Sequence, residues 1–168
     1  MRVGGMQGEV DDLYRDHGVQ AVRLAYLLTG DRARAEDIVH DGFVRLLGRV
    51  RLIRDPQALR AYLNRTVVNL AKNDLRRRSV QRRFLETHGH ESNGDVSWMP
   101  DVAERDELHH NLMELPYRQR AALVLRYCED LTEAEVADAL GTSTKAVRSL
   151  VGRGLATLRN GDGRNGDG

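Results

Sequence analysis

Residues 131–159 read LTEAEVADALGTSTKAVRSLVGRGLATLR, a stretch that encodes two helices and a tight corner between them. Thr132 followed by Glu135 makes a capping box, in which a hydroxyl and a carboxylate three residues apart satisfy each other's orphan amides at a helix start. Val136, Ala137 and Leu140 give that short helix its apolar side. Gly141 can supply left-handed backbone at the corner, and Ser143 is placed to cap a second helix. In that helix Val147, Leu150, Val151, Leu155 and Leu158 recur at helical spacing and are expected to face inward. Thr144, Lys145, Arg148, Ser149 and Arg153 then fall on the outer side, biased to the helix start, where a recognition helix meets base edges and phosphates in a major groove. The pattern predicts a helix-turn-helix with duplex DNA as its partner.

The rest of the chain has to be compatible with that unit. Its 168 residues suffice for one ordinary domain or two small ones, and 40% hydrophobic with 30% charged residues describes a soluble globular protein. No run approaches the ~18 apolar residues of a membrane span, and the N-terminus lacks the apolar core of a signal peptide. The single cysteine excludes an intrachain disulfide, which fits a cytoplasmic protein. Cys128 falls on a helical pattern with Val124, Leu125, Tyr127 and Leu131 and is expected as a small buried apolar residue.

A net charge of +1 conceals a block structure. Residues 51–90 carry 10 basic and 3 acidic side chains, whereas residues 91–114 carry 1 and 7. The first block attracts a polyanion and the second repels it.

Working outward, apolar periodicity predicts a helix over Glu9–Thr29, stopped by Gly30, and a second over Arg34–Val50 with the stripe Ala35, Ile38, Val39, Gly42, Phe43, Leu46, Leu47 and Val50. A basic segment, Arg51–Asp55, leads to Pro56 at the first position of a long third helix, whose Leu59, Tyr62, Leu63, Val67 and Leu70 face the core. Periodicity fails from about Glu86 to Asp101, which reads as a linker. Helices resume near Ala103 and again from Tyr117 to Cys128. The repeated RNGDG at the C-terminus, with four glycines in ten residues, is expected to be disordered. The predicted fold class is all-α: two small helical domains, residues 9–86 and 103–159, joined by a flexible acidic linker at 87–102 and followed by a tail at 160–168.

On the third helix Arg65, Asn69, Lys72 with Asn73, and Arg76 with Arg77 share one face opposite the apolar stripe, and Arg78, Arg82 and Arg83 continue the charge. Arginine and lysine neutralise phosphates, while asparagine offers a paired donor and acceptor to a base edge.

Three stretches carry a family resemblance: GDRARAEDIVHDGF at 30–43, AYLNRTVVNLAKNDLRRR at 61–78, and LPYRQRA at 115–121 ahead of the helix-turn-helix. In this order and spacing the chain, from Val10 to Arg159, resembles a small bacterial RNA polymerase sigma factor of the extracytoplasmic-function (ECF) group of the sigma-70 family, which retains two modules, regions 2 and 4. The resemblance implies a factor that binds core RNA polymerase and directs promoter-specific initiation. Its partners would be core polymerase and promoter DNA, and it admits an anti-sigma factor. By resemblance, Asp37, His40, Asp41 and Arg45, opposite the second helix's stripe, bind the polymerase clamp helices, with His40 standing where the family usually has glutamine. The third helix and the preceding segment match the −10 reader: Arg51, Arg54, Arg65, Asn69, Lys72, Asn73, Arg76 and Arg77, with Asn69 at the pocket for an extruded base. Thr144, Lys145, Arg148, Ser149 and Arg153 would read the −35 element. The acidic linker, with Asp95, Trp98, Met99, Asp101 and Glu104, would run toward the polymerase active site.

Chemistry is not expected. The chain lacks a phosphate-binding Gly-rich loop, a Gly-x-Ser-x-Gly elbow and a Cys-x-x-Cys pair, so it is read as no enzyme and as needing no cofactor. His88-x-His90 and His109-His110 have no third ligand at metal spacing, so no metal is expected. A DNA-binding regulator that acts without polymerase and a helical adaptor for proteins only are the competing classes.

Overall fold

The computed structural model describes residues 3–84 and 102–162, all of them helix, turn or short connection, with no strand among the described residues. Helix α1 spans Val3–Thr29, six residues longer at its start than the periodicity predicts. It ends where Gly30 takes φ +75° and its amide closes onto the Tyr26 carbonyl at 2.8 Å. Asp31 then caps α2 (Arg32–Leu47) by accepting from the Arg34 amide at 3.2 Å.

Helix α2 buries Ala35, Ile38, Val39, Gly42, Phe43 and Leu46 of the expected stripe, while Leu47 and Val50 are half-buried. It stops at Leu47 rather than Val50, and Val50–Leu52 form a single 3₁₀ turn. Helix α3 (Pro56–Phe84) packs Leu63, Val67, Val68 and Ala71 against this face, and the side chains of Leu63 and Val67 lie closest to Gly42. An ion-pair network pins α3 to the start of α2: Arg34 meets Asp74 at 2.9 Å and Asp31 at 3.4 Å, and Arg78 meets Asp31 at 3.6 Å. Arg78, which continues the run of basic residues in the sequence, is thus engaged by Asp31 at the start of α2.

The second half begins with α4 (Val102–Glu114), followed by α5 (Tyr117–Leu123), which continues into a π-helical turn at Val124–Cys128. The wider turn rolls the helix face, and this corrects one expectation: Cys128 is exposed, not buried. Its thiol is nevertheless held above the ordinary value, chiefly by the packing around it and further by Glu129, with Arg23 opposing. Helix α6 (Glu133–Leu140) starts with the complete Thr132/Glu135 capping box and ends at Gly141 with φ +62°. Helix α7 (Thr144–Asp162) receives the Ser143 cap, whose hydroxyl accepts from the Ala146 amide at 3.1 Å. Because α7 runs to Asp162, Asn160 and Gly161 are helical instead of belonging to a disordered tail. The linker lies outside the described residues except for Val102, the first residue of α4, and the rest of the tail, from residue 163, lies outside them as well.

The two halves share one core. Leu24, Leu28, Val39 and Val67 from the first half and Val124, Leu125, Val136 and Val147 from the second belong to a single buried apolar cluster. A smaller cluster of Leu112, Leu115 and Leu123 lies beneath the C-terminal part of α7.

Candidate nucleic-acid interface

Each polar face is positioned by the apolar stripe behind it. On α3, Arg65, Asn69, Lys72, Asn73, Arg76 and Arg77 are all exposed, because Leu63, Val67, Val68 and Ala71 occupy the opposite side. Arg51, in the 3₁₀ turn, and Arg54, in the segment before α3, are exposed at the near end of that helix. Arg82 and Arg83 extend the basic surface, and Phe84 stands 85% exposed among them. Tyr62 is half-buried in the core as expected, with the Arg49 guanidinium 5.9 Å from its ring centre.

On α7, Val147 is fully buried and Leu150, Val151, Leu155 and Leu158 are partly so, which turns Thr144, Lys145, Arg148, Ser149 and Arg153 to solvent. These five residues cluster at the N-terminal half of the helix, where the helix dipole adds positive potential. Arg148 is held in place: its Nε donates to Glu133 Oε2 at 2.6 Å.

The third face is on α2, where Asp37, His40, Asp41 and Arg45 are exposed. Asp41 and Arg45, one helical turn apart, do not form an ion pair.

Residues that the sequence pattern did not single out hold the halves together. Arg120 is 7% exposed, and its guanidinium donates to four backbone carbonyls: Leu28 at 2.6 Å, Leu112 at 2.9 Å, Leu115 at 2.9 Å and Met113 at 3.1 Å. Leu28 lies in the last turn of α1, and Leu112 and Met113 lie in the last turn of α4. One cation therefore serves the orphan carbonyls of two helix C-termini. Burial lowers the Arg120 pKa from its ordinary value, with Tyr117 opposing. The Tyr117 hydroxyl donates to the Val68 carbonyl at 2.6 Å, and burial pushes its pKa well up, with Arg120 opposing. Their signal was present in the sequence: RAALVL at 120–125 is apolar on every side of a helix, and such a helix is buried all round, so an arginine inside it must find internal acceptors.

The third tie is ionic. Glu129 is buried and meets Arg60 of α3 at 3.6 Å, and Arg60 also donates to the Glu129 backbone carbonyl at 3.3 Å. Burial raises the Glu129 pKa, against the pull of Arg60 and Arg23. Beside this pair a crevice of about 470 Å³ is bordered by Arg60 and Arg65 on one wall and by Glu129, Asp130, Glu135 and Asp138 on the other. His109 stacks on Tyr26, with ring centres 4.6 Å apart. No cluster of metal-ligating side chains occurs among the described residues, and no helix there is long and apolar enough to cross a membrane. The His88-x-His90 pair lies outside the described residues.

Two exposed cationic faces on different helices, each backed by the same core, define the class: an all-helical protein with two separate surfaces suited to a polyanion, one of them on a helix-turn-helix. The family models agree. Sigma-70 region 2 matches residues 13–81, and Sigma-70, region 4 matches residues 105–158. The RNA polymerase sigma factor SigV of Bacillus subtilis is 30% identical over 145 residues, covering 86% of this chain and 85% of the relative. The RNA polymerase sigma-E factor of Streptomyces coelicolor is 30% identical over 151 residues, covering 90% and 84%. Among solved structures, the sigma factor RpoE in complex with the anti-sigma factor NepR from Bartonella quintana superposes with a TM-score of 0.75 at 18% identity, covering 89% of this chain and 95% of that one, a likeness of fold. CnrH in complex with the cytosolic domain of CnrY gives 0.67 at 25% identity, covering 92% and 87%. The chain belongs to the ECF group of the sigma-70 family of RNA polymerase sigma factors, and it is a factor for promoter-specific transcription initiation.

Proposed function

We propose that the two faces divide promoter recognition between them, α7 reading the −35 element as duplex and α3 reading the −10 element as opened strand. The observation that carries this reading is the pair of exposed cationic faces, one on each family module. On α7, Lys145, Arg148 and Ser149 meet base edges, and Thr144 and Arg153 meet phosphates. On α3, Asn69 receives an extruded base, with Arg65, Lys72, Asn73, Arg76 and Arg77 along the backbone and Arg51 and Arg54 beside the pocket. Lacking a tryptophan on α3 to wedge between base pairs, the protein opens duplex weakly and depends on a close promoter match. Asp37, His40, Asp41 and Arg45 on α2 form the polymerase-binding face.

The working units are residues 9–86 and 103–159, tethered by the acidic segment 87–102. Polymerase supplies all the chemistry, and this chain contributes only recognition, in the cytoplasm. In the packed arrangement the α3 residue Arg65 shares a crevice with Glu129, Asp130, Glu135 and Asp138. Carboxylates and phosphates compete for the same guanidinium, so the modules separate when promoter DNA and polymerase are engaged. The structural neighbour RpoE, solved in complex with the anti-sigma factor NepR, supports an anti-sigma protein as the partner that holds this chain closed.

The test is run-off transcription by purified core polymerase with and without this chain. Defined start sites are expected only with it. They should weaken for Asn69→Ala with −10 substitutions becoming tolerated, and for Arg148→Ala with −35 substitutions becoming tolerated. Identical, unspecific initiation with and without the chain would refute the reading.

A further inference from the structure

We infer that Glu133 is a positioning residue for −35 specificity, holding the Arg148 guanidinium in the orientation in which it reads a base edge. The inference rests on the reading of α7 as the −35 helix and names a partner for it on α6.

Glu133 is the first residue of α6, immediately after the Thr132 cap. Thr132 and Glu135 lock that start: the Thr132 amide donates to Glu135 Oε2 at 2.7 Å, and the Glu135 amide donates to the Thr132 hydroxyl at 3.3 Å. Gly141 fixes the corner between α6 and α7, and Val136, Ala137 and Val147 are buried where the helices meet. The Glu133 carboxylate is thus carried at a set distance from the second turn of α7, where it accepts from Arg148 Nε at 2.6 Å.

Both side chains are partly open to water, 39% for Glu133 and 66% for Arg148, so the pair adds little to stability. Its consequence is orientational. A guanidinium anchored through Nε keeps four N–H donors on its two Nη atoms, and a guanine edge needs two of them for O6 and N7. Anchoring removes most of the rotamers that a free arginine would sample, so less ordering is left for the moment of binding. The same carboxylate repels phosphate, lowering affinity for DNA of any sequence. Glu133 therefore trades general affinity for discrimination, and those two effects have opposite signs on its removal.

The experiment uses holoenzyme assembled from core polymerase and the full chain, on promoters with each −35 base pair substituted in turn. Arg148→Ala should flatten the preference at one or two adjacent base pairs. Glu133→Ala should flatten the same pairs by about three- to tenfold, part of what one bidentate contact supplies, while raising retention on promoter-free DNA. Glu133→Gln keeps the acceptor and should restore most of the preference while still raising general retention. The double variant should match Arg148→Ala at those pairs. Thermal melting of each variant checks that the capped helix is intact. The inference is overturned if Glu133→Ala leaves every base preference unchanged, alters pairs that Arg148→Ala does not touch, or if Arg148→Ala flattens none. Absence of promoter selection by the wild-type holoenzyme would instead sink the −35 reading together with this inference.

Discussion

Replacing Arg120 with methionine removes four hydrogen bonds at once while roughly preserving the volume of the side chain. The acceptors are the carbonyls of Leu28, Leu112, Met113 and Leu115, at 2.6 to 3.1 Å. A hydrogen bond to a charged group is worth about 1.5–3 kcal/mol net, so simple addition would reach roughly 6–12 kcal/mol. That sum overstates the loss, because deleting the guanidinium also recovers its desolvation, several kcal/mol for a buried ion. Breaking a buried charged arrangement from one side costs about 3–5 kcal/mol, and the expected loss lies there. Against a total stability of about 5–15 kcal/mol for a domain, this is a large fraction. With a urea slope of about 2 kcal/mol per molar, the midpoint should fall by roughly 2 M. Arg120→Lys keeps the charge but has three donors on a single nitrogen and no fork, so its loss should be intermediate. Urea titration followed by helical circular dichroism measures both variants. A midpoint for Arg120→Met within about 0.5 M of wild type would refute the view that this residue joins the ends of α1 and α4.

Other outcomes follow from neighbouring features. Glu129 has a raised folded-state pKa, so the folded protein holds that proton more tightly than the unfolded chain, and the contribution of Glu129 to stability falls as pH rises from the ordinary carboxylate value through the raised one. Glu129→Gln removes that slope: the stability of the variant relative to wild type should increase with pH across this window, as read by denaturation at several pH values, and a flat difference would contradict it. Gly154→Ala places a Cβ 2.7 Å from Leu123 Cδ1, so it should destabilise by about 1–3 kcal/mol despite alanine's better helix propensity, which thermal unfolding will show. Thr132→Ala removes the hydroxyl half of the capping box and should cost about 1 kcal/mol in the same assay. Arg153→Ala should weaken holoenzyme binding to all promoter sequences alike and lower the salt slope by about one, measured by retention of labelled promoter across salt concentrations.

Local rules made much of the architecture legible in advance. The stripe on α2 and the capping box, corner and Ser143 cap of the helix-turn-helix depend on residues within one or two turns of each other, and period 3.6 with capping chemistry describes such neighbours well. The exposure of Arg65, Asn69 and Lys72 followed from the same periodicity, since a stripe that faces inward turns its opposite face out. Other features depended on groups far apart in the chain. Arg120 and Leu28 are separated by 92 positions and Tyr117 and Val68 by 49, so no local pattern pairs them. Arg78 read in sequence as a continuation of the basic run, and only the position of α2 put Asp31 within 3.6 Å of it. Cys128 looked buried because the pattern assumed an unbroken α-helix, and a π turn moved it to the surface. Composition and spacing therefore determined the helices and their inner and outer faces, and three motif stretches carried the resemblance to the family. The docking of the two modules into one core, and the acceptors each buried or anchored arginine finds, were decided only by the tertiary fold, because desolvation and hydrogen bonding are settled by which atoms meet in space.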